Sequence, residues 1–201
     1  MEKLVVATKN AGKIVEIENL CGYLVESGVH ICGLNDYQTM PDIDENGESF
    51  LENAVIKAKT AASFTGEICI ADDSGIVVDV LGGIPGIKSA RFGSSKLDDV
   101  GRYMKLLNML ENVPCELRTA RFVCAVAIAE PTGKVWTTGG KCEGIIADNP
   151  VGDNGFGYDP IFYIPEVGKT FAQLTLDEKN AMSHRAVALK NAEKFLKNLF
   201  F

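Results

Sequence analysis

Ile70-Ala71-Asp72-Asp73-Ser74-Gly75 carries an apolar, strand-like segment into two adjacent carboxylates and then into a Ser-Gly pair that must turn. The lead-in from Ile68 to Ala71 reads as a buried strand. Strand alternation sends Asp72 and Asp73 to opposite sides unless the backbone bends, so only one of them need face a site. Carboxylates delivered at a strand end are candidate metal ligands or bases. Asp, Ser and Gly also each favour turns for their own reasons, so from this stretch alone an ordinary turn and a site both stand.

Upstream, Asp42-Ile43-Asp44-Glu45-Asn46-Gly47-Glu48 is an acidic loop that runs into Ser49-Phe50-Leu51-Glu52, a capping-box pattern. The helix that follows has apolar residues at Phe50, Leu51, Ala54, Val55, Ala58, Ala61 and Ala62, which leaves Asn53 and Lys57 on one polar face. If the acidic loop folds over Asp73, three or more carboxylates meet, and they stay ionised only with a cation; magnesium is the natural one. Earlier still, a β-branched strand over residues 3 to 7 leads through Thr8-Lys9-Asn10-Ala11-Gly12-Lys13 into a helical pattern at Ile14, Ile17, Leu20, Cys21, Leu24 and Val25. Such a loop offers backbone N–H groups and a helix dipole to an anion, and Lys13 adds a point charge. Neither G-x-x-x-x-G-K-[ST] nor G-x-G-x-x-G is present, and a plain β-α connection is the other reading.

Downstream, Ile76 to Val80 reads as a further strand and Leu81 to Gly86 as a tight loop, followed by a helix from about Lys96 to Asn112. A long β-hairpin is predicted from about Leu117 to Ala129 and Val135 to Ile146, reversing at Pro131-Thr132-Gly133-Lys134. Gly152 to Pro160 places glycines around Phe156 and Tyr158; bare backbone admits a close ligand and an aromatic ring offers a stacking face, although core-anchored aromatics explain the same pattern. Thr175 to Glu178 is a second capping box. Lys179 and Arg185 fall near helix starts, where a cation opposes the dipole, so a bound anion or base carbonyl explains them better than helix stability does. His184 reads equally well as a structural residue.

The 201 residues suffice for one substantial domain, 1–201, or one domain with a lobe, and nothing in the sequence marks an independent linker. A hydrophobic content of 46%, a charged content of 23% and no low-complexity tract place the chain among soluble globular proteins. The net charge of −7 argues against general nucleic-acid binding, which needs clustered Lys and Arg, yet permits a small phosphate-bearing ligand. Cys21, Cys32, Cys69, Cys115, Cys124 and Cys142 form no C-x-x-C pair and suit reduced thiols rather than zinc ligands. The opening apolar run is too short for a signal peptide or a membrane span, so a cytoplasmic location is expected.

Taken in order, these segments resemble the inosine/xanthosine triphosphate pyrophosphatase family, also called Ham1-like. The resemblance covers essentially the whole chain. It rests on Thr8 to Lys13, Phe50 to Ala58, Ala71 to Gly75, Leu81 to Gly86, Gly155 to Pro160, Glu178-Lys179 and Ser183-His184-Arg185. It implies an α/β fold, an elongated mixed sheet with flanking helices that form two lobes around a central nucleotide cleft, in a homodimer. It also implies magnesium-dependent hydrolysis of ITP, dITP and XTP to the monophosphate and pyrophosphate. By motif position Asp73 is the general base and a magnesium ligand, with Asp44 and Glu45 as the acidic-loop ligands. Lys13 is the second catalytic position, and the loop Thr8, Lys9, Asn10, Ala11, Gly12 and Lys13, with Lys57 and Ser74, contacts phosphates and sugar. Phe156, Gly157, Tyr158, Asp159, Lys179, His184 and Arg185 enclose the base. Lys9 stands where many members have Gly, and Asp44-Glu45-Asn46-Gly47 where they have Glu-Glu-Thr-Gly, which leaves Asp44 and Glu45 as alternatives for the second ligand.

Phosphoryl transfer needs charge neutralisation and positioning more than covalent help. Recognition of a 6-oxo purine would fall to Lys179, Arg185 or backbone N–H groups of the 156–159 loop. The alternatives are a pyrophosphatase of the same architecture for other modified nucleotides, and a sensor that binds a triphosphate without cleaving it.

Overall fold

Runs of β-branched and apolar residues form seven strands: β1 (Lys3–Val6), β2 (His30–Gly33), β3 (Ile68–Val78), β4 (Thr119–Ala129), β5 (Val135–Ile146), β6 (Phe162–Ile164) and β7 (Lys169–Thr170). They belong to a computed structural model that describes residues 2–37, 39–94 and 96–201. The strands make one sheet in the order β2–β1–β3–β4–β5–β6–β7. β1 is parallel to both β2 and β3, with Val5 opposite Cys32 and Cys69. β6 runs antiparallel to β5 and β7, so the sheet is mixed. The helices are α1 (Ala11–Leu20), α2 (Gly22–Glu26), α3 (Phe50–Thr65), α4 (Asp99–Met109), α5 (Leu176–Asn180) and α6 (His184–Phe200). The expected α/β class with flanking helices is what the chain adopts.

The Ser74-Gly75 pair does not turn. β3 continues unbroken for 11 residues from Ile68 to Val78, where the sequence predicts two strands divided there. The register with β1 ends at Ile70, so beyond it β3 is held by β4, by Ser89 Oγ, which accepts the Ile76 N–H at 3.0 Å, and by a bridge from Val77 to Pro85, and these partners override the local preference of Asp, Ser and Gly for a turn. The chain bends later, at a 3₁₀ turn over Asp79–Leu81, so Asp79 and Val80 leave the predicted strand.

The chain divides into two compact units, one of residues 1–73, 124–140 and 184–201, the other of 74–123 and 141–183. In the first, alternate strand residues go to opposite faces. Leu4, Val6, Ile70, Cys124, Val126 and Ile128 pack with Ile17 and Leu24 of α1 and α2 and with Leu189 and Leu196 of α6. Val5, Ala7, Cys69, Ala71, Ala125, Ala127 and Ala129 pack with Ala54, Ala58, Ala61 and Ala62 of α3. Alanine on both sides lets α3 lie close against the strands. The start of α6 is set by Gly140 in β5, because a Cβ there would run into the His184 carbonyl and the Ala188 amide. Thr138 Oγ1 donates to the Ala188 carbonyl at 2.9 Å and Asn191 Nδ2 to the Gly139 carbonyl at 3.0 Å, so the first turns of α6 are tied to β5.

The second unit has its own core of Ile76, Val78, Leu106, Leu110, Ile146 and a trio of phenyl rings. Phe122 meets Phe162 edge-on at 4.7 Å and stacks with Phe171 at 5.7 Å. Among the described residues no helix is long and apolar enough to cross a membrane.

Candidate functional site

In the first unit the site grows from the start of α3. Ser49 caps the helix by accepting the Glu52 N–H at 3.1 Å, and the Glu52 carboxylate accepts the Glu48 N–H at 2.6 Å, one residue earlier than the reciprocal bond of a capping box. That register turns Asn53 and Lys57, one helical turn apart, toward β3. Asn53 Nδ2 donates to Asp73 Oδ2 at 3.3 Å while its Oδ1 accepts the Gly47 N–H at 2.9 Å. Lys57 Nζ lies 3.0 Å from Asp73 Oδ1 and 3.2 Å from Glu45 Oε2. Glu45 and Asp73 are thereby brought together on one ammonium. Asp44 is exposed. Among the described residues no group of three His, Cys, Asp or Glu side chains is gathered to hold a metal ion.

Asp72 lies on the other face of β3, as strand alternation requires. It is buried and accepts Arg185 Nη2 at 2.7 Å and Nε at 3.3 Å, and Lys13 Nζ is 3.0 Å from the same Oδ2. Arg185 Nη1 donates to Glu16. A row of alternating charges, Glu16, Arg185, Asp72 and Lys13, therefore joins α1, α6 and β3 inside the first unit. Arg185, expected at the base, has its guanidinium on these two carboxylates and is 1% exposed; His184 beside it is also buried.

The two neighbouring carboxylates are driven apart in acidity. Burial works to raise Asp72, but Arg185, Lys13 and Lys57 outweigh it and hold it well below the usual carboxylate range. Burial raises Asp73, with Lys57 and Lys13 opposing and Glu45 adding to the rise. Burial also works against the Lys57 ammonium, but Asp73, Asp72 and Glu45 prevail and raise its pKa. Asp72 is a fixed anion and Asp73 a carboxylate that accepts a proton more readily. Adjacent acids separated in this way are the arrangement in which one supports and the other does the proton chemistry. Two carboxylates on one ammonium leave a net negative charge at Glu45 and Asp73, and their oxygens are the donors that a hard divalent cation takes.

The β1–α1 loop is organised around the helix start. Asn10 caps α1 by accepting the Lys13 N–H at 3.2 Å, and Thr8 Oγ1 accepts the Asn10 N–H at 3.2 Å. Ala11 and Gly12 form the first turn. Lys9 points to the acidic loop, its Nζ 2.5 Å from Asp42 Oδ1.

In the second unit, the glycine loop is built around Asp159. Its Oδ2 accepts the Phe156 N–H at 2.9 Å and lies 2.6 Å from Lys179 Nζ. Gly155 has φ +75°, and a Cβ there would strike the Asp159 carboxylate, so only glycine fits. Lys179 sits over the Phe156 ring at 5.0 Å and the Phe171 ring at 5.4 Å. Tyr158 is buried, its hydroxyl donating to the Ser89 carbonyl at 2.9 Å. Phe156 is half-buried, and Ser74 of this unit likewise. The loop amides expected to meet a purine oxygen are engaged internally: Phe156 N–H by Asp159 and Gly157 N–H by Asp99, the latter at 2.8 Å.

Asn53 and Glu16 are absent from the predicted site. Asn53 was within reach of the sequence, since it stands four residues before Lys57 on the polar face of α3. Glu16 follows Lys13 by three residues on a helix whose neighbouring Ile14 and Ile17 are apolar, and a carboxylate there needs a cation.

Comparison with known proteins adds an independent finding. The family model described as Ham1 family matches residues 4–195. A dITP/XTP pyrophosphatase of Desulforamulus reducens is 48% identical over 98% of this chain and 97% of its own length. One of Geobacillus kaustophilus is 47% identical over 96% and 94%. The solved structure of a HAM1 protein from Coxiella burnetii has a TM-score of 0.87 at 38% identity, covering 98% of this chain and 100% of that one. The Staphylococcus aureus Ham1 protein has a TM-score of 0.84 at 38% identity, over 98% and 99%.

Proposed function

Because the chain belongs to the Ham1 family, we propose that it hydrolyses purine nucleoside triphosphates carrying hypoxanthine or xanthine, namely dITP, ITP and XTP, to the monophosphate and pyrophosphate. The observation that carries the reading is the division of labour between Asp72 and Asp73. Asp73, raised by burial and oriented by Asn53 and Lys57, takes a proton from the attacking water. Lys13, on the fixed anion Asp72, and Lys57 bind the triphosphate oxygens. Thr8, Asn10 and the first turn of α1 add donors at the positive end of that helix. In the second unit the Phe156 face takes the flat base, and Lys179 supplies positive charge beside it.

Magnesium belongs to the same proposal: Glu45 and Asp73, with Asp44 from the same loop, would hold it, and it would supply neutralisation of charge on the phosphates. The homodimer and the cytoplasmic location implied by the family resemblance complete the reading.

The test is a panel of dITP, ITP, XTP, dTTP, GTP and ATP with magnesium, measuring pyrophosphate and orthophosphate. The reading expects pyrophosphate from the first three, with kcat/KM on the order of 10⁴-fold above that for ATP, the discrimination that unpaired polar groups impose. Orthophosphate would place the attack on another phosphorus. Triphosphates left intact after prolonged incubation would make the protein a sensor, and preference for dTTP would move it to another substrate class.

A further inference from the structure

Gly155 and Gly157, which flank Phe156, both have positive φ, +75° and +64°, so backbone freedom in the unfolded loop is greatest on either side of that ring. Two successive amides remove it in the folded protein, each by way of a carboxylate. The Phe156 N–H goes to Asp159, buried under the loop, and the Gly157 N–H goes to Asp99 Oδ2 at 2.8 Å. Asp99 is the first residue of α4 and its side chain is 45% exposed. It does not hang free: Arg102 Nη2 lies 2.5 Å from Asp99 Oδ1, and Arg102 Nη1 donates to the Leu97 carbonyl. The brace is thus a chain from Leu97 through Arg102 and Asp99 to the loop backbone, all within the second unit.

We propose that Asp99 is a positioning residue for base recognition: by holding the Gly157 N–H it sets the Phe156 ring before a purine arrives. This rests on the reading of the 155–159 loop as the base-binding loop. The physical consequence is specific. A loop that the ligand must order at every encounter loses affinity, while the reacting atoms, positioned in the first unit, keep their geometry. The signature is therefore a raised KM with kcat preserved, the pattern of lost uniform binding.

Three variants test it, each assayed for turnover of dITP and, without nucleotide, for amide hydrogen exchange of the segment 155–159. Asp99→Ala is expected to raise KM about 10-fold, the effect of one lost hydrogen bond to a charged acceptor, with kcat within two-fold, faster exchange of the loop and a thermal midpoint lowered by no more than about 5 °C. Asp99→Asn keeps an oxygen that accepts the amide, so it is expected to restore slow exchange and most of the affinity. Arg102→Met loosens the brace and is expected to act in the same direction as Asp99→Ala, but less. Unchanged KM and unchanged exchange in Asp99→Ala would overturn the proposal, as would a fall in kcat equal to the rise in KM. If the unmodified protein does not turn over dITP, the base-binding reading fails on its own, and the exchange measurement still decides whether Asp99 holds the loop.

Discussion

Replacing Arg185 with Met removes the cation that stands between two buried carboxylates. The guanidinium gives two hydrogen bonds to Asp72 and one to Glu16, and the Arg185, Asp72 and Glu16 side chains are 1%, 1% and 4% exposed. Methionine fills much of the volume, so the loss is electrostatic rather than a cavity. Lys13 still faces Asp72, whereas Glu16 loses its guanidinium. Removing one member of a buried ion pair costs about 3–5 kcal/mol, because the remaining charge stays desolvated. Against a total stability of roughly 5–15 kcal/mol this is severe. With a urea slope of about 2–3 kcal/mol per molar, the unfolding midpoint is expected to fall by about 1–2.5 M with the slope unchanged. The effect also depends on pH. Arg185 depresses the folded-state pKa of Asp72, so the stability it supplies is present above the ordinary carboxylate value near 3.8 and is lost as pH falls through the lower folded value. The gap between the two proteins is therefore expected to narrow below about pH 4. Adding Glu16→Gln and Asp72→Asn to Arg185→Met is expected to recover a good part of the loss. A midpoint shift under about 0.3 M at pH 7, or a gap that widens in acid, would refute the assignment of a buried charge row.

Other parts of the structure give equally direct expectations. Ala58→Leu inserts bulk at a fully buried contact between α3 and the alanine-lined strands, and is expected to cost about 1–3 kcal/mol, read as a fall in thermal midpoint. Gly155→Ala combines a strained positive φ with collision against Asp159, and is expected to lower stability by about 2 kcal/mol and weaken dITP binding, measured by thermal unfolding and KM. At pH 8 a thiol reagent is expected to modify the exposed Cys115 rapidly and to leave Cys21 and Cys124, whose thiols burial pushes up to about 12, unmodified until unfolding. Because those two pKa values are raised on folding, their contribution to stability is present below about pH 9 and declines as pH rises toward 12, which alkaline denaturation would follow.

What the sequence discloses about this chain follows the range of the forces involved. β5, from Val135 to Ile146, and the helical pattern of α3 are legible because local periodicity and capping determine them. The opposite facing of Asp72 and Asp73 is legible as well, since it needs only the two-residue period of a strand. The Ser74-Gly75 turn is misread because the partners that keep β3 extended, β4 and the segment from Pro85 to Ser89, lie outside the stretch, where no local propensity reports them. The partners of Arg185 are hidden for the same reason: Asp72 is 113 residues away and Glu16 is 169. A cation at a helix start looks like a ligand group until its buried carboxylates are seen. Likewise, the loop amides at Phe156 and Gly157 look available because Asp99, which engages one of them, lies 58 residues earlier in another element.

In the proposed reaction Asp73 performs the proton transfer. Asp73→Asn keeps the size of the side chain and an oxygen for Lys57 but removes the base, so the decisive measurement is pyrophosphate release from dITP by this variant alongside the unmodified protein. The expected result is a fall in kcat of about 10²- to 10⁴-fold, the usual contribution of a general base, with the circular dichroism preserved. A variant that keeps half or more of the original kcat would contradict it.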